Sequence, residues 1–377
     1  MDILIVYASS GRGLRKDALI LESALNSLGH NCQIEPLPPT PEWQNQLSHY
    51  RYRLLSKYLP EPVGRLYYAL KNGIARSVSG QSKSDLVIHL QNPRVSQLRR
   101  GKRHWLIPNQ EWFVESLLPY LPSVDRILCK TQHAAEIFSR YHSDVMYLGF
   151  TGGSEISKPC TSGKNYRLAL HVAGNSQFKG TSAVLACWSR HPEWPKLIVV
   201  SEHIDSSDYP NQNIEILSNL TDKEMKTLWR EAGFAILPSE VEGYGQVLAE
   251  ALENGCVTIT TNAPPMNELI ERSRGYLAEP NNSRAFRLGT RYMVSEQSLD
   301  ATINTAINAM PETLERTSAN AEQWYSSNHK AFIENLQAAI SELVAPLPHG
   351  PSPQVSDLNW SVRSSTRISH QSLDRSD

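Results

Sequence analysis

Short apolar runs alternate with stretches of helical periodicity, and this happens twice along the chain; no other feature restricts the fold as much. The first set of runs lies at 3–7, 32–35, 86–90, 104–107, 126–129 and 145–148, each long enough for a buried strand and too short for a helix. A strand buried on both faces has no place for alternating polar residues, so this pattern predicts a parallel sheet wound by crossover helices. Around 151–165 the residues Gly152, Gly153, Ser157, Pro159, Ser162 and Gly163 break every periodicity. The alternation then restarts, with runs at 166–172, 197–201, 214–217, 234–237 and 257–261. At roughly 150 residues per domain, a chain of 377 residues holds two such units. The expected organisation is α/β throughout. An N-terminal Rossmann-like domain spans 1–157 and a second spans 158–325, with a cleft between them. The last part of a helical pattern from Pro311 to Val344 gives a terminal helix over 326–345 that returns to the first domain. The tail 346–377, rich in Ser and Pro, is expected to be disordered.

Composition narrows the partners. Lys and Arg total 37 against 38 Asp and Glu, a net charge of -1, so no global field recruits nucleic acid. Cys32, Cys129, Cys160, Cys187 and Cys256 are scattered without metal-site or disulfide spacing, which suits a reducing compartment. The opening Met1-Asp2-Ile3-Leu4-Ile5-Val6 lacks the basic and long apolar stretches of a signal peptide, and no run of eighteen apolar residues follows. A cytoplasmic protein is expected, at most peripheral at the inner membrane face. One local exception lies between His49 and Lys83, where seven Lys or Arg residues and a single acid, Glu61, are interleaved with tyrosines and leucines. Such a region can rest on anionic lipid or grip a charged acceptor, although solvated helix faces are the commoner outcome.

The segment richest in chemistry runs from Pro238 to Gly255. An apolar strand enters a turn with Gly243 and Gly245, and a helix follows, closed by Gly255. This places the turn at the carboxyl edge of a parallel sheet, where open α/β folds bind ligands. The glycines let backbone approach a ligand, and the free N–H groups of the helix start suit phosphate. On a helical wheel Val247, Leu248, Ala251 and Leu252 form the buried stripe, Glu253 faces solvent and Glu250 lies on the margin. Glu242 precedes the turn, so Glu242 and Glu250 can face one pocket and accept hydrogen bonds from sugar or ribose hydroxyls.

Glycines or glutamates alone occur in any α/β protein, but the whole run resembles the E-x7-E signature of retaining family-4 glycosyltransferases, the group 1 glycosyl transferases of GT-B fold. The resemblance is specific over about 165–275 and only architectural in the first half. It implies transfer of a sugar from a nucleoside-diphosphate sugar to an acceptor hydroxyl, with retention, without metal and without a cofactor. By position, Glu242 would lie beside the sugar as a catalytic residue, and Glu250 would hold the ribose. The backbone of Gly243, Tyr244, Gly245 and Gln246 would hold phosphate and sugar. The segment 168–181 resembles the family loop that carries an arginine and a lysine before a glycine. Lys179-Gly180 fits its end, whereas Gly174, Asn175 or Ser176 stands where the arginine would be. Lys179 would stabilise the leaving diphosphate, with Asn175 and Ser176 beside it. The segment 261–269 has the position of a structural support, and 214–218 the position of a base contact.

The first half offers weaker candidates. Ser9-Ser10-Gly11-Arg12-Gly13-Leu14-Arg15-Lys16 joins the first strand to the first helix, but Lys16 stands where the dinucleotide fingerprint needs Gly or Ala. Gly11, Arg12 and Gly13 are candidate phosphate or acceptor contacts, with Arg12 a source for the missing positive charge. His89, read as ending the third strand, is a candidate catalytic histidine, and Asn109 and Glu111 follow the fourth strand at the same edge. The chain has no D-x-D pair, so a metal-bound diphosphate is not indicated. The expected partners are a nucleotide-sugar donor and a carbohydrate or lipid-linked acceptor. Two alternatives stay open: a non-catalytic GT-B binding or partner subunit, and a related epimerase or phosphorylase.

Overall fold

In the computed structural model the described residues are 1–9, 12–77, 84–153 and 163–344. The expected tail, the boundary after residue 157 and Gly11 lie outside them. The first half runs β1 (Asp2–Ala8), α1 (Arg12–Ser27), β2 (Asn31–Leu37), α2 (Glu42–Tyr58), α3 (Glu61–Ser77), β3 (Ser84–Gln91), β4 (Gly101–Pro108), β5 (Arg126–Cys129), α4 (Gln132–Phe138) and β6 (Val145–Tyr147). Its strands form one sheet in the order β2-β1-β3-β4-β5-β6, every pair parallel.

The second half continues with β7 (Asn165–Gly174), α5 (Thr181–Arg190), β8 (Lys196–Ser201), β9 (Ile214–Leu217), α6 (Asp222–Glu231), β10 (Ala232–Leu237), α7 (Gln246–Glu253), β11 (Val257–Thr261), α8 (Met266–Leu269) and β12 (Gly275–Ala278). The sheet order β12-β11-β10-β7-β8-β9 is again parallel throughout. Strands β10 and β11 are buried along their whole length; β10 reads as an unbroken apolar run, and the threonines of β11 are buried with their hydroxyls donating to the carbonyls of Cys256, Leu237 and Ser239. The chain leaves β7 toward one side of the sheet and returns at β10 to build the other. This reversal puts the loops after β7 and β10 side by side, at the position where doubly wound sheets bind ligands.

An antiparallel hairpin, β13 (Pro280–Phe286) and β14 (Gly289–Val294), precedes α9 (Glu296–Ile307) and α10 (Pro311–Val344). Neither β12 nor the hairpin was expected from the sequence. The residues of β13 are mostly exposed and polar, so they carry no apolar period-two signal.

The halves share a core. Phe150, at the end of the first half, packs edge-on against Tyr244 and against Phe332 of α10, with ring centroids 5.5 and 5.2 Å apart. From α10, Asn328 donates to the Phe150 carbonyl at 2.6 Å and Asn335 to the Leu148 carbonyl at 3.1 Å. Glu268 of α8 accepts from the N–H groups of Gln132 and His133 at 2.7 and 2.8 Å, and so caps α4 of the opposite half. This is a structural role of the kind the position of 261–269 implied.

Candidate functional site

Two loops at the reversal of the second sheet form the floor of the site. The loop after β7 carries Lys179, and the loop after β10 carries Glu242, Gly243 and Gly245. The two loops are tied by a hydrogen bond from the Glu240 N–H to the Phe178 carbonyl, 2.8 Å, and by an ion pair between Lys179 and Glu242, both largely buried. Gly245 has φ 97° where α7 begins, a conformation that L side chains rarely adopt. The first N–H groups of α7 lack intrahelical acceptors by geometry, so they face the turn as donors for an anion.

The first half supplies the opposite wall. Lys16 of α1 forms an ion pair with Glu250 of α7. One residue on, buried Asp17 accepts from Gln246 Nε2 at 2.9 Å and pairs with Lys130 Nζ at 2.6 Å. Lys130 is buried too, and it follows β5 directly. Gln110 Nε2 donates to the Glu242 carbonyl at 2.9 Å. The Glu111 carboxylate and the Asn109 amide lie so close to Gly243 that a Cβ there would meet them at 2.5 and 2.9 Å. Any side chain at 243 would drive the two walls apart.

Electrostatically the site concentrates acids and cations in little water. Burial pushes the Glu111 carboxyl up to about 7; Glu242 and Asp17 add to the rise, while its own backbone hydrogen bond and Lys130 oppose it. Four buried acceptor oxygens around this turn have no hydrogen-bond partner: Asn109 Oδ1, Gln110 Oε1, Glu111 Oε2 and Gln246 Oε1. Buried polar atoms are normally paired, so these oxygens call for a ligand rich in donors.

The structure sorts the candidates. Glu242, Gly243, Gly245, Gln246, Glu250, Lys179, Asn109 and Glu111 converge on this cleft. Tyr244 does so only through its backbone, because its ring is buried and its hydroxyl donates to the Phe150 carbonyl at 2.6 Å. Ser176 serves its own loop, its Oγ accepting the Phe178 N–H at 3.3 Å, and Asn175 is exposed. Gly13 is exposed on α1, and the side chain of Arg12 lies outside the described residues.

His89 is a correction. The third strand continues to Gln91, and His89 is fully buried inside it, its Nε2 3.1 Å from His104 Nδ1 and its Nδ1 accepting the Arg94 N–H at 3.1 Å. Burial, then His104 and Arg94, hold its pKa well below the ordinary histidine value, so it is a neutral core group and not a cleft catalyst. The buried stripe of α7 is also corrected: Ala249 is buried with Leu248, Ala251 and Leu252, whereas Val247 is half-buried. Glu253, expected in solvent, is half-buried beside Gly152.

Lys16, Asp17 and Lys130 were not among the sequence candidates. Lys130 could have been found, since it follows a strand at the ligand-binding edge. Lys16 had been noted only as a departure from another motif. The hairpin was missed as well, although it braces the site: Arg291 pairs with Glu240, Tyr292 N–H donates to the Glu240 carbonyl at 2.7 Å, and Phe286 packs on Phe178 at 5.2 Å. At its tip Leu288 packs on a core cluster of the first half, and Arg287 lies 4.4 Å over the Trp112 ring.

Comparison with known proteins bears on the second half and on the fold. Residues 164–322 match the model of the family described as glycosyl transferases group 1. The match covers both floor loops, α7 and the hairpin. No curated protein matches the sequence. Among solved structures, Anabaena HepE in complex with UDP and glucose is similar with a TM-score of 0.60 at 15% identity, over 92% of this chain and 100% of that one. Sucrose-phosphate synthase from Thermosynechococcus elongatus has a TM-score of 0.62 at 13% identity, over 91% and 99%. TarM has 0.64 at 8%, again over 91% and 99%. The fold is GT-B: two Rossmann-like halves facing across a cleft.

Proposed function

We propose that this chain is a glycosyltransferase that moves a sugar from a nucleoside-diphosphate sugar to an acceptor hydroxyl. The observation that carries the reading is the set of unpartnered acceptor oxygens facing the turn at Gly243, directly beside Lys179 and the N-terminus of α7. Acceptors alone would suit any donor-rich molecule. Joined to an anion site at the reversal of a parallel sheet, they suit a sugar carried on a diphosphate. The match of 164–322 to glycosyl transferases group 1 supports the same class.

In this reading Glu242, Asn109 and Glu111 accept hydrogen bonds from sugar hydroxyls, Glu250 accepts from the ribose, and the α7 N–H groups hold the phosphates. Lys179 and Lys16 now neutralise Glu242 and Glu250, and each can turn its ammonium to the diphosphate when the donor enters. Lys16 thus supplies a positive charge that the loop 174–180 lacks. The reaction breaks the bond between the anomeric carbon and the leaving phosphate oxygen, and forms a bond from that carbon to the acceptor oxygen. With retention, the acceptor proton passes to the departing phosphate on the same face. The charge that develops there is met by lysine ammonium groups and helix N–H dipoles.

A non-catalytic binding subunit is the second reading, favoured by the absent loop arginine. Calorimetric titration with a panel of nucleotide sugars, followed by product analysis with the tightest donor and simple acceptors, separates the two. Binding with transfer supports the enzyme. Binding without transfer supports the subunit, and no binding to any nucleotide sugar removes both.

A further inference from the structure

Among the described residues the exposed large hydrophobic side chains are concentrated in one place. Of the fourteen large hydrophobic side chains exposed among the described residues, eleven lie between Trp43 and Ile74, on α2, α3 and their connection. They are not scattered. On α2 the exposed positions 43, 47, 50, 54 and 58 recur every third or fourth residue, and on α3 the positions 63, 66, 70 and 74 do the same. Each set is the stripe that an amphipathic helix normally turns to a core, yet Trp43, Tyr58 and Ile74 are 63, 72 and 66% exposed. The stripes point outward because the opposite side is already docked: Tyr68 is buried against the Tyr120 ring at 5.3 Å, and Arg51 and Lys71 donate to the Tyr120 hydroxyl at 3.2 and 2.8 Å.

Charge identifies the occupant. From 42 to 77 the sequence holds six bases and two acids, and Arg53 and Lys57 are exposed between the aromatic positions of α2. A second copy of the same face would bring these cations together, which opposes a symmetric dimer. Tyrosine and tryptophan, with apolar bodies and polar tips, beside lysine and arginine are suited to the boundary of an anionic bilayer. We propose that α2 and α3 form a docking surface for anionic membrane lipid. No helix among the described residues is long and apolar enough to cross a membrane, so the contact is in-plane adsorption. Because α2 begins at the carboxyl edge of the first sheet, the same edge that faces the cleft, adsorption holds the site near the bilayer. A lipid-borne acceptor is the class this arrangement serves. The surface itself does not depend on the sugar-transfer reading.

The test is sedimentation of the full chain with vesicles of phosphatidylcholine alone or mixed with phosphatidylglycerol. Binding is expected on the mixed vesicles and not on the neutral ones, with loss at high salt as screening grows. Leu47→Glu combined with Leu66→Glu is expected to lower the partition coefficient at least about tenfold, and Arg53→Glu with Lys57→Glu to abolish the anionic preference. Unchanged thermal unfolding in both variants shows that folding is intact, as expected for substitutions at exposed positions. Absence of vesicle binding, or equal binding to both vesicle types, overturns the proposal. So does a wild-type dimer in sedimentation equilibrium that the leucine variant converts to monomer.

Discussion

At the residue scale, the buried carboxyl of Glu111 couples the cleft to pH. Glu111 takes up its proton near 7 when folded, against an ordinary value of 4.5, so the folded state binds the proton more tightly than the unfolded chain. Stability therefore falls as pH rises between these two values, by roughly 3 kcal/mol in all. Glu111→Gln is expected to flatten that slope in denaturant titrations at several pH values; an unaltered slope would show that another group titrates. Glu250→Gln should weaken nucleotide binding by about 1 to 3 kcal/mol, roughly 5- to 150-fold in Kd, the cost of a lost charge-assisted hydrogen bond. Calorimetry that finds equal affinity would take Glu250 out of the site. The sequence singled out Glu242, Lys179 and Glu250 because they stand at recognisable spacings around glycines. It could not show that Lys16 meets Glu250, since a contact across 234 positions has no local signature. His89 was misread because burial inside a strand, rather than position at its end, decides whether a histidine reaches solvent.

At the scale of elements, the parallel strands were legible and the hairpin was not, and both outcomes follow from burial. A strand such as β10 is covered on both faces and is apolar throughout. The β13 strand is mostly exposed, and it is held by the Arg291–Glu240 pair and by Leu288 at the tip, neither of which is periodic. A carboxylate placed at that tip would sit against the apolar cluster that includes Leu106 and Phe113. Leu288→Asp is expected to cost about 1 to 3 kcal/mol in chemical denaturation, the penalty for a polar group against an apolar cluster. A cost within error of zero would mean that the tip does not dock in solution. The α2–α3 pair belongs here too: its basic character was plain in the sequence, whereas the outward direction of its stripes could be seen only once Tyr68 and Tyr120 were paired.

At the scale of the whole molecule, two α/β units were visible in the repeated alternation, but their shared interior was not. Phe150, Tyr244 and Phe332 come from the end of the first half, the site turn and the last helix, and they pack as one group. Calorimetric unfolding is therefore expected as a single cooperative transition, and two well-separated peaks would contradict a common core. The long helix α10 has a further consequence for how the protein is made. The carbonyls of Leu148 and Phe150 are synthesised early, while Asn328 and Asn335, which donate to them from α10, leave the ribosome about 180 residues later. The first lobe therefore waits, incompletely sealed, until α10 has been made. Ribosome-stalled chains ending before α10 should be open to protease at that seam, and chains that include it should be protected there.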